Sequence, residues 1–378
     1  PEGFEALLAD LAAGPRYEAD VPTGRIEGER VGEDGTRFPW FALVPDDYDP
    51  QRRYPVRVYL HGGIGRPLMG GGAWWRGPER VAGPNHIAVF PAAWNTEPWW
   101  RRSQIENLRE ILATLRATYN TDENRVALYG VSDGGTGVYF VAFVDTTPWA
   151  SFLPFIGHPA VLLNPQQGAD GQLHVGNLRA KPLFIVNGET DHLYPVRSLT
   201  PFLEAFEEAG VDFEFTARPE GHTTVWWPEL AGRIGAFIAE HPRRPHPERV
   251  VWAAAGPGPY ARAHWVVIDE VGPIEGDRDR AALAGLSADG RAGVVDARRE
   301  GNRITVDAYH VRRLRLLVSP DAFDLSRPIV VVANGRVVFD ALVEPDADVL
   351  ARWAARDVDR TMLYAAEVVV ELPAEGGG

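Results

Sequence analysis

The stretch RVALYGVSDGGTGVYFVAFV, residues 125–144, decides the fold because it joins a strand pattern to a helix pattern through a tight turn. Residues 125–129 are typical of a buried strand, and residues 134–144 are typical of a helix. Between them, residues 130–134 form a G-x-S-x-G pattern, which is weak alone but gains force from this position. A sharp turn here would strain the backbone of Ser132 and raise its hydroxyl above the carboxyl edge of a sheet. Only small neighbours would fit beside it.

Strand and helix patterns alternate on both sides of this stretch. Residues 25–45 form a strand-like region with a glycine-rich turn. Further strand patterns occupy residues 55–60, 87–90, 152–156, 182–186 and 213–216, and helix patterns occupy residues 2–13, 103–119, 198–209 and 230–239. Such alternation implies parallel strands with helices on both faces of the sheet. Residues 1–243 are therefore predicted to form an α/β domain with a mostly parallel central sheet.

The pattern changes after residues 241–249 (HPRRPHPER), where prolines and arginines indicate a linker. Short alternating segments typical of antiparallel strands follow at residues 250–252, 265–268, 304–310, 314–318, 329–332, 337–339 and 366–372. The pair Asn334-Gly335 signals a hairpin turn, and one helix is expected near residues 346–356. Residues 244–378 are therefore predicted to form a smaller β-rich accessory domain. Capping of the site, polymer binding and homodimer formation all stay open as its role.

The composition excludes several classes of protein. The chain has a formal net charge of −14 and no basic stripe, which argues against nucleic-acid binding. The absence of cysteine excludes disulfides, thiolate catalysis and cysteine-based metal sites. No apolar run reaches the roughly 18 residues of a membrane span, so no membrane insertion is expected. The sequence opens at Pro1 without a charged-then-apolar leader, so a signal peptide was either removed or never present. The compartment, cytoplasmic or secreted, stays open.

Backbone donors for a negatively charged oxygen are expected on two sides of Ser132. Asp133 opens the predicted helix, and its amide lies where a helix N-terminus stabilises negative charge. The loop HGGI at residues 61–64 directly follows a strand, and a loop of this kind turns N–H groups toward the nucleophile. The predicted donors of an oxyanion hole are therefore the amides of Asp133, Gly63 and Ile64.

An acid and a histidine follow Ser132 at later strand ends. One strand runs into the sequence NGETD, which ends at Asp191, and the next leads to EGH, which ends at His222. The chain order Ser, acid, His at successive strand ends brings the three side chains to the edge where open α/β sheets bind ligands. Ser132, Asp191 and His222 are therefore predicted to act together. Glu189 and the adjacent His192 are rivals for the acid position, and closeness to the strand end favours Asp191.

With these motifs in order, residues 20–243 resemble the α/β-hydrolase superfamily, and most closely its esterase, polyhydroxybutyrate-depolymerase-like and prolyl-oligopeptidase-type members. The resemblance implies Ser132 as the nucleophile, His222 as general base and then acid, and Asp191 as the group that orients the imidazole. Such a mechanism requires no cofactor. The C-terminal residues lie outside this resemblance.

The remaining histidines and acidic clusters predict no metal site. His86, His158 and His174 lack the spacing of metal ligands, and the acidic residues at 46–49 are better explained as a solvated turn than as a calcium site. His61, at the start of the HGGI loop, is expected to hydrogen-bond the loop backbone.

Tryptophan is unusually frequent, with 12 in the chain, and six of these form the adjacent pairs 74–75, 99–100 and 226–227. Loops at the carboxyl edge of an α/β sheet line the substrate pocket. Trp99, Trp100 and Trp226 are therefore predicted to contribute to an apolar pocket. The alternative is that these indoles only pack the loops.

The preferred interpretation is a serine carboxylic-ester hydrolase that acts on a small-molecule or polymeric ester through an acyl-enzyme. A serine peptidase of prolyl-oligopeptidase type is the first rival. The roughly 50 residues before the first central strand are too few for the N-terminal propeller that such relatives carry, which weakens that reading. A non-catalytic binder on the same scaffold is the second rival. An intact set of three catalytic residue types argues against it.

Overall fold

The computed structural model describes residues 2–171, 173–272 and 292–372, and an eight-stranded sheet dominates its first 243 residues. The strands are β1 (Gly24–Val31), β2 (Arg37–Val44), β3 (Tyr54–Leu60), β4 (Ile87–Pro91), β5 (Thr121–Val131), β6 (Ser151–Phe155), β7 (Leu183–Gly188) and β8 (Phe213–Arg218). Their order across the sheet is β1-β2-β4-β3-β5-β6-β7-β8. Of these eight strands, β2 runs antiparallel to the other seven, which are parallel to one another. This is the strand order of the α/β-hydrolase fold. The predicted fold class is confirmed.

The helices of this part are α1 (Glu2–Ala13), α2 (Arg102–Thr118), α3 (Asp133–Val144), α4 (Ala160–Leu163), α5 (Val196–Glu208) and α6 (Trp227–Glu240). Side chains that alternate along each strand face opposite sides of the sheet, so the sheet carries one core on each face. In β3, Val58 belongs to the core shared with α2, α3 and α5, whereas Tyr59 belongs to the core shared with α6. The second face is also covered by residues 69–82, which connect β3 to β4.

Beyond residue 243 the chain forms two further sheets around a separate core. Their strands are β9 (Arg249–Ala254), β10 (Arg262–Ala263), β11 (Val266–Val271), β12 (Gly293–Glu300), β13 (Arg303–Tyr309), β14 (Val311–Val318), β15 (Ile329–Ala333), β16 (Arg336–Ala341) and β17 (Ala366–Glu371), with helix α7 (Ala347–Asp357) before the last strand. One sheet has the order β16-β15-β13-β12-β9, and the other has the order β10-β11-β14-β17.

The predicted hairpin is confirmed, because Asn334 and Gly335 join β15 to β16 with φ angles of 47° and 78°. The expectation of antiparallel strands throughout is wrong at one place, since β13 and β15 pair in parallel. The physical reason is that the intervening strand β14 belongs to the other sheet, so the chain re-enters the first sheet in the same direction.

The two parts of the chain are in contact, and their division at residue 243 stays a prediction. Helix α1 packs through Phe4 and Leu8 against Leu350 of α7. A fully buried ion pair joins Arg243 Nη2 to Asp359 Oδ2 at 2.8 Å. No helix within the described ranges is both long and apolar enough to cross a membrane.

Candidate active site

Ser132 lies at the turn between β5 and α3, with backbone angles of φ 58° and ψ −118°. A non-glycine residue pays a steric cost at such positive φ, and strain of this kind is typical of functional positions. The flanking glycines make the turn possible. A Cβ at Gly130 would lie 2.0 Å from the Gly134 carbonyl oxygen, and a Cβ at Gly134 would lie 2.0 Å from the Leu60 carbonyl oxygen. These close backbone contacts are the reason that only glycine fits at the two positions, as the sequence predicted.

The structure brings Ser132, His222 and Asp191 together in one hydrogen-bonded chain. Ser132 Oγ lies 2.8 Å from His222 Nε2, and His222 Nδ1 lies 2.7 Å from Asp191 Oδ2. Asp191 follows β7 and His222 follows β8, so both side chains reach the carboxyl edge of the sheet at which β5 delivers Ser132. In this arrangement Nδ1–H donates to the carboxylate and Nε2 is left to accept the hydroxyl proton.

Asp191 is buried, with 2% of its surface exposed, and its charge is held by backbone donors. Burial alone would raise the pKa of Asp191. The Tyr194 amide, the His222 ring and the Leu193 amide donate to the carboxylate, however, and together they lower that pKa below its usual value. The carboxylate therefore remains ionised beside the imidazole. Glu189 and His192, the rivals for this position, are both exposed.

The HGGI loop approaches the nucleophile closely. A Cβ at Gly62 would lie 2.8 Å from Ser132 Cβ and 3.5 Å from Ser132 Oγ, so this position tolerates no side chain without movement. One predicted oxyanion donor needs correction: the Ile64 amide donates to Asp133 Oδ2 at 3.0 Å and is therefore already engaged. The amides of Gly63 and Asp133 stay predicted donors. The Asp133 side chain instead ties the loop to the turn that carries Ser132.

His61 holds the other side of this loop in place. Its Nδ1 lies 2.9 Å from the Gly62 carbonyl oxygen, and its Nε2 accepts a hydrogen bond from the Ala93 amide at 3.0 Å. Burial lowers the pKa of His61 to about 4, so the ring is neutral and donates through Nδ1. The predicted backbone hydrogen bonding of His61 is confirmed.

Tyr194 is a neighbour of the site that the sequence patterns did not indicate. Its ring meets the His222 ring edge-on at 5.6 Å, and its amide donates to Asp191. Burial and the nearby carboxylates of Asp133 and Asp191 raise the pKa of Tyr194 to about 12, so its phenol stays protonated. The sequence could have indicated Tyr194 only through its position three residues after Asp191, and no general pattern places an aromatic residue there.

A cavity of about 910 Å³ lies on the face of the sheet covered by α6 and reaches the HGGI loop, and Ser132, Asp191 and His222 are not among the residues that line it. Its end near the nucleophile is lined by Gly62, Val131 and Thr224. Tryptophans line its walls, but they are Trp74, Trp75 and Trp227.

The predicted pocket residues Trp99, Trp100 and Trp226 do not line this cavity. They are 1%, 3% and 0% exposed and belong to the cores of the sheet. Trp99 also donates from Nε1 to the His61 carbonyl oxygen at 2.8 Å, and this hydrogen bond fixes the start of the HGGI loop. In the 226–227 pair the prediction chose the wrong member, because adjacent residues at a helix start point in different directions. The 99–100 pair was wrong as a whole, since both indoles pack into the core on the other face of the sheet.

The described residues contain no group of three histidine or carboxylate side chains placed to hold a metal ion. His86 contacts the Val81 carbonyl oxygen, and His158 contacts Ser198 Oγ. These histidines take part in the packing of the loops around the sheet.

No protein-family model matches the sequence, and no curated protein matches it. Among solved structures, a thermostable esterase is 21% identical with a TM-score of 0.44, over 58% of this chain and 63% of that chain. A dipeptidyl aminopeptidase IV-like protein from Bacteroides ovatus is 17% identical with a TM-score of 0.46, over 58% of this chain and 36% of that chain. Esterase 2 of Thermogutta terrifontis is 16% identical with a TM-score of 0.46, over 56% of this chain and 93% of that chain. The chain spans less than two thirds of the length of the first two.

Proposed function

We propose that this chain, which has the α/β-hydrolase fold, is a serine hydrolase that cleaves carboxylic esters through an acyl-enzyme. The observation that carries the proposal is the hydrogen-bonded chain from Ser132 Oγ through His222 to Asp191, with contacts of 2.8 and 2.7 Å. A serine in a strained turn with an oriented imidazole at hydrogen-bond distance is the arrangement of an activated nucleophile.

Acylation follows from this geometry. His222 Nε2 takes the proton of Ser132 as Oγ attacks the ester carbonyl carbon, and the carbonyl oxygen becomes an oxyanion. The amides of Gly63 and Asp133 are the proposed donors to that oxyanion. When the tetrahedral intermediate collapses, the bond to the alcohol oxygen breaks and the Nε2 proton passes to the leaving alkoxide. Asp191 keeps the ring in the required tautomer and stabilises the transient imidazolium.

Deacylation repeats the sequence with water as the nucleophile. His222 Nε2 removes a proton from water, the hydroxide attacks the acyl carbon, and the same donors hold the second oxyanion. Collapse breaks the bond to Ser132 Oγ, which recovers its proton from Nε2. The acid leaves, and the site returns to its starting state.

The walls of the cavity favour an ester over the substrate of an aminopeptidase. A peptidase that holds the amino end of its substrate needs an anionic partner for the ammonium group, because a buried unpaired charge is costly. The described residues that line the cavity include no aspartate or glutamate. They include Arg57, Arg76 and Arg80, which would repel an ammonium group.

Rapid-mixing kinetics on p-nitrophenyl acetate test the proposal. The expected result is a burst of about one equivalent of p-nitrophenol per chain, followed by slower turnover, as an acyl-enzyme requires. Ser132→Ala is expected to abolish both phases. Ser103→Ala, at a serine outside the site, is the matched control and keeps them. A panel of acyl esters, aryl esters and aminoacyl amides then separates the reaction classes. Turnover of the amides alone would assign the chain to the peptidases.

A further inference from the structure

The cavity beside Ser132 has aromatic walls on the face of the sheet opposite to α3. Tyr59 of β3 and Tyr129 of β5 stack at 4.7 Å between ring centroids, and Trp227 of α6 stacks on Tyr129 at 6.0 Å with an interplanar angle of 11°. Trp75 packs against Tyr59 from the connection between β3 and β4. Tyr59 and Tyr129 are each 2% exposed, so the half-buried Trp75 and Trp227 are the rings that a planar apolar ligand can contact.

Positive charge is concentrated in the same cavity. Arg57 of β3 and the exposed Arg76 and Arg80 line it, and none of the three forms an ion pair with a carboxylate of the described residues. The Arg57 Nε atom is buried and has no hydrogen-bond partner among the residues that the structure describes. These three unpaired cations stand together in a chain whose net charge is −14.

The other titratable groups that face Arg57 cannot neutralise it. Burial raises the pKa of Tyr59 to about 12, so its phenol is uncharged at neutral pH. Burial, with Arg57 adding to it, lowers the pKa of His86 to about 4, so its imidazole is neutral as well. An anion from outside the chain is therefore the group that would complete the electrostatics of this cavity.

One end of the cavity lies at the HGGI loop, next to the nucleophile. Gly62 lines it, and a Cβ added there would lie 3.5 Å from Ser132 Oγ. Arg57 precedes Gly62 by five residues, which corresponds to about 16 Å along an extended strand. An occupant that reaches both ends is therefore elongated, with its reacting group near Gly62 and its charge toward Arg57.

We propose that this cavity binds an aromatic carboxylate, and that the natural ester carries such a group, with the ring against the half-buried Trp75 and Trp227 and the carboxylate at Arg57. The substrate part of this inference rests on the proposed ester hydrolysis, whereas the binding part does not. Helix α6 leaves the necessary room, because Gly235 lines the cavity and a Cβ there would meet no atom within 4 Å.

Calorimetric titration of the wild-type chain tests the binding. The probes are 2-naphthoate and its neutral amide, 2-naphthamide. Naphthoate is expected to bind at least tenfold more tightly, because a charge-assisted hydrogen bond is lost in the amide. Arg57→Gln is expected to weaken naphthoate binding about 10- to 100-fold, and Gly235→Leu is expected to abolish it by filling the space.

Two matched controls accompany these variants. Arg336→Gln removes an exposed arginine far along the chain, and Gly232→Leu makes the same glycine-to-leucine change on α6 at an exposed position outside the cavity. Both are expected to bind naphthoate as the wild type does. If Arg57→Gln fails to fold, the double change Arg76→Gln and Arg80→Gln tests the charge at exposed positions. Equal binding of both probes, or naphthoate binding that survives both Arg57→Gln and Gly235→Leu, would overturn the proposal.

Hydrolysis separates this inference from the proposed function. The two substrates are the monomethyl ester of naphthalene-2,6-dicarboxylic acid, which is an anion, and the neutral dimethyl ester. The wild type is expected to show the higher kcat/KM on the anion, and Arg57→Gln is expected to lower the ratio of the two values. Hydrolysis of both esters without preference contradicts the substrate inference alone. No hydrolysis of either, nor of p-nitrophenyl acetate, contradicts the proposed function, and calorimetry still decides the binding.

Discussion

A methyl group at position 62 provides a sharp probe of the oxyanion loop. Gly62→Ala would place its Cβ 2.8 Å from Ser132 Cβ and 2.9 Å from the Val131 carbonyl oxygen. Two carbon atoms pack at about 3.5 Å, so the loop must retreat from the nucleophile by about 0.7 Å. The turn around Ser132 is fixed by backbone contacts at Gly130, and the loop is therefore the part that moves.

The retreat moves the Gly63 amide away from the developing oxyanion. Loss of one such donor costs about 10²-fold in kcat or more, which is about 2.7 kcal/mol, and misplacement by about 1 Å has a similar cost. We therefore expect Gly62→Ala to lower kcat on p-nitrophenyl acetate about 100-fold. KM should change little, because the interaction is made chiefly in the transition state.

Gly65→Ala is the matched control, because the same methyl group at Gly65 meets no atom within 4 Å. It is expected to retain the wild-type kcat. Circular dichroism and thermal unfolding establish that both variants are folded. A folded Gly62→Ala variant with kcat within about threefold of the wild type would refute this account of the oxyanion loop.

Three further outcomes follow from the site and the core. The kcat/KM on neutral esters is expected to fall in acid because the mechanism needs an unprotonated base, whereas the lowered pKa of Asp191 keeps that carboxylate ionised. A rate that is flat down to pH about 4 would contradict this. Asp191→Asn is expected to reduce kcat by about 10⁴-fold while calorimetry shows a folded chain. Burial would raise the pKa of Asp359, but Arg243 and Arg116 lower it, so its contribution to stability is present at neutral pH and is lost as acid protonates the carboxylate. Asp359→Asn is expected to lower the free energy of unfolding at pH 7 by about 3–5 kcal/mol, measured by urea titration, and an unchanged value would show that the pair is not stabilising.

Local signals in the sequence were sufficient for the first part of the fold. The alternation of strand and helix patterns, and the glycines around Ser132, depend on neighbours within a few residues, so they could be predicted. Ser132, Asp191 and His222 could be placed at one edge because parallel strands end together. The rivals Glu189 and His192 were separable only by position, and the structure leaves both exposed.

Features that depend on long-range packing escaped the sequence patterns. Strand β12 carries the sequence GVVDARRE, whose charged end hides the buried alternation of its first residues. Whether Trp99 or Trp75 lines the cavity depends on which face of the sheet each loop covers. The composition of a loop does not determine that face. The engagement of Ile64 by the Asp133 carboxylate joins residues 69 positions apart, so spacing gave no sign of it.

The central claim is that Ser132 is the nucleophile, activated by His222. Peptide mapping by mass spectrometry after reaction with a fluorophosphonate measures this directly, because the reagent forms a stable bond with an activated serine hydroxyl. The account predicts one adduct per chain, on the peptide that contains Ser132, and no adduct in a folded His222→Ala variant under the same conditions. An adduct on another residue, or an unmodified chain at saturating reagent, would contradict it.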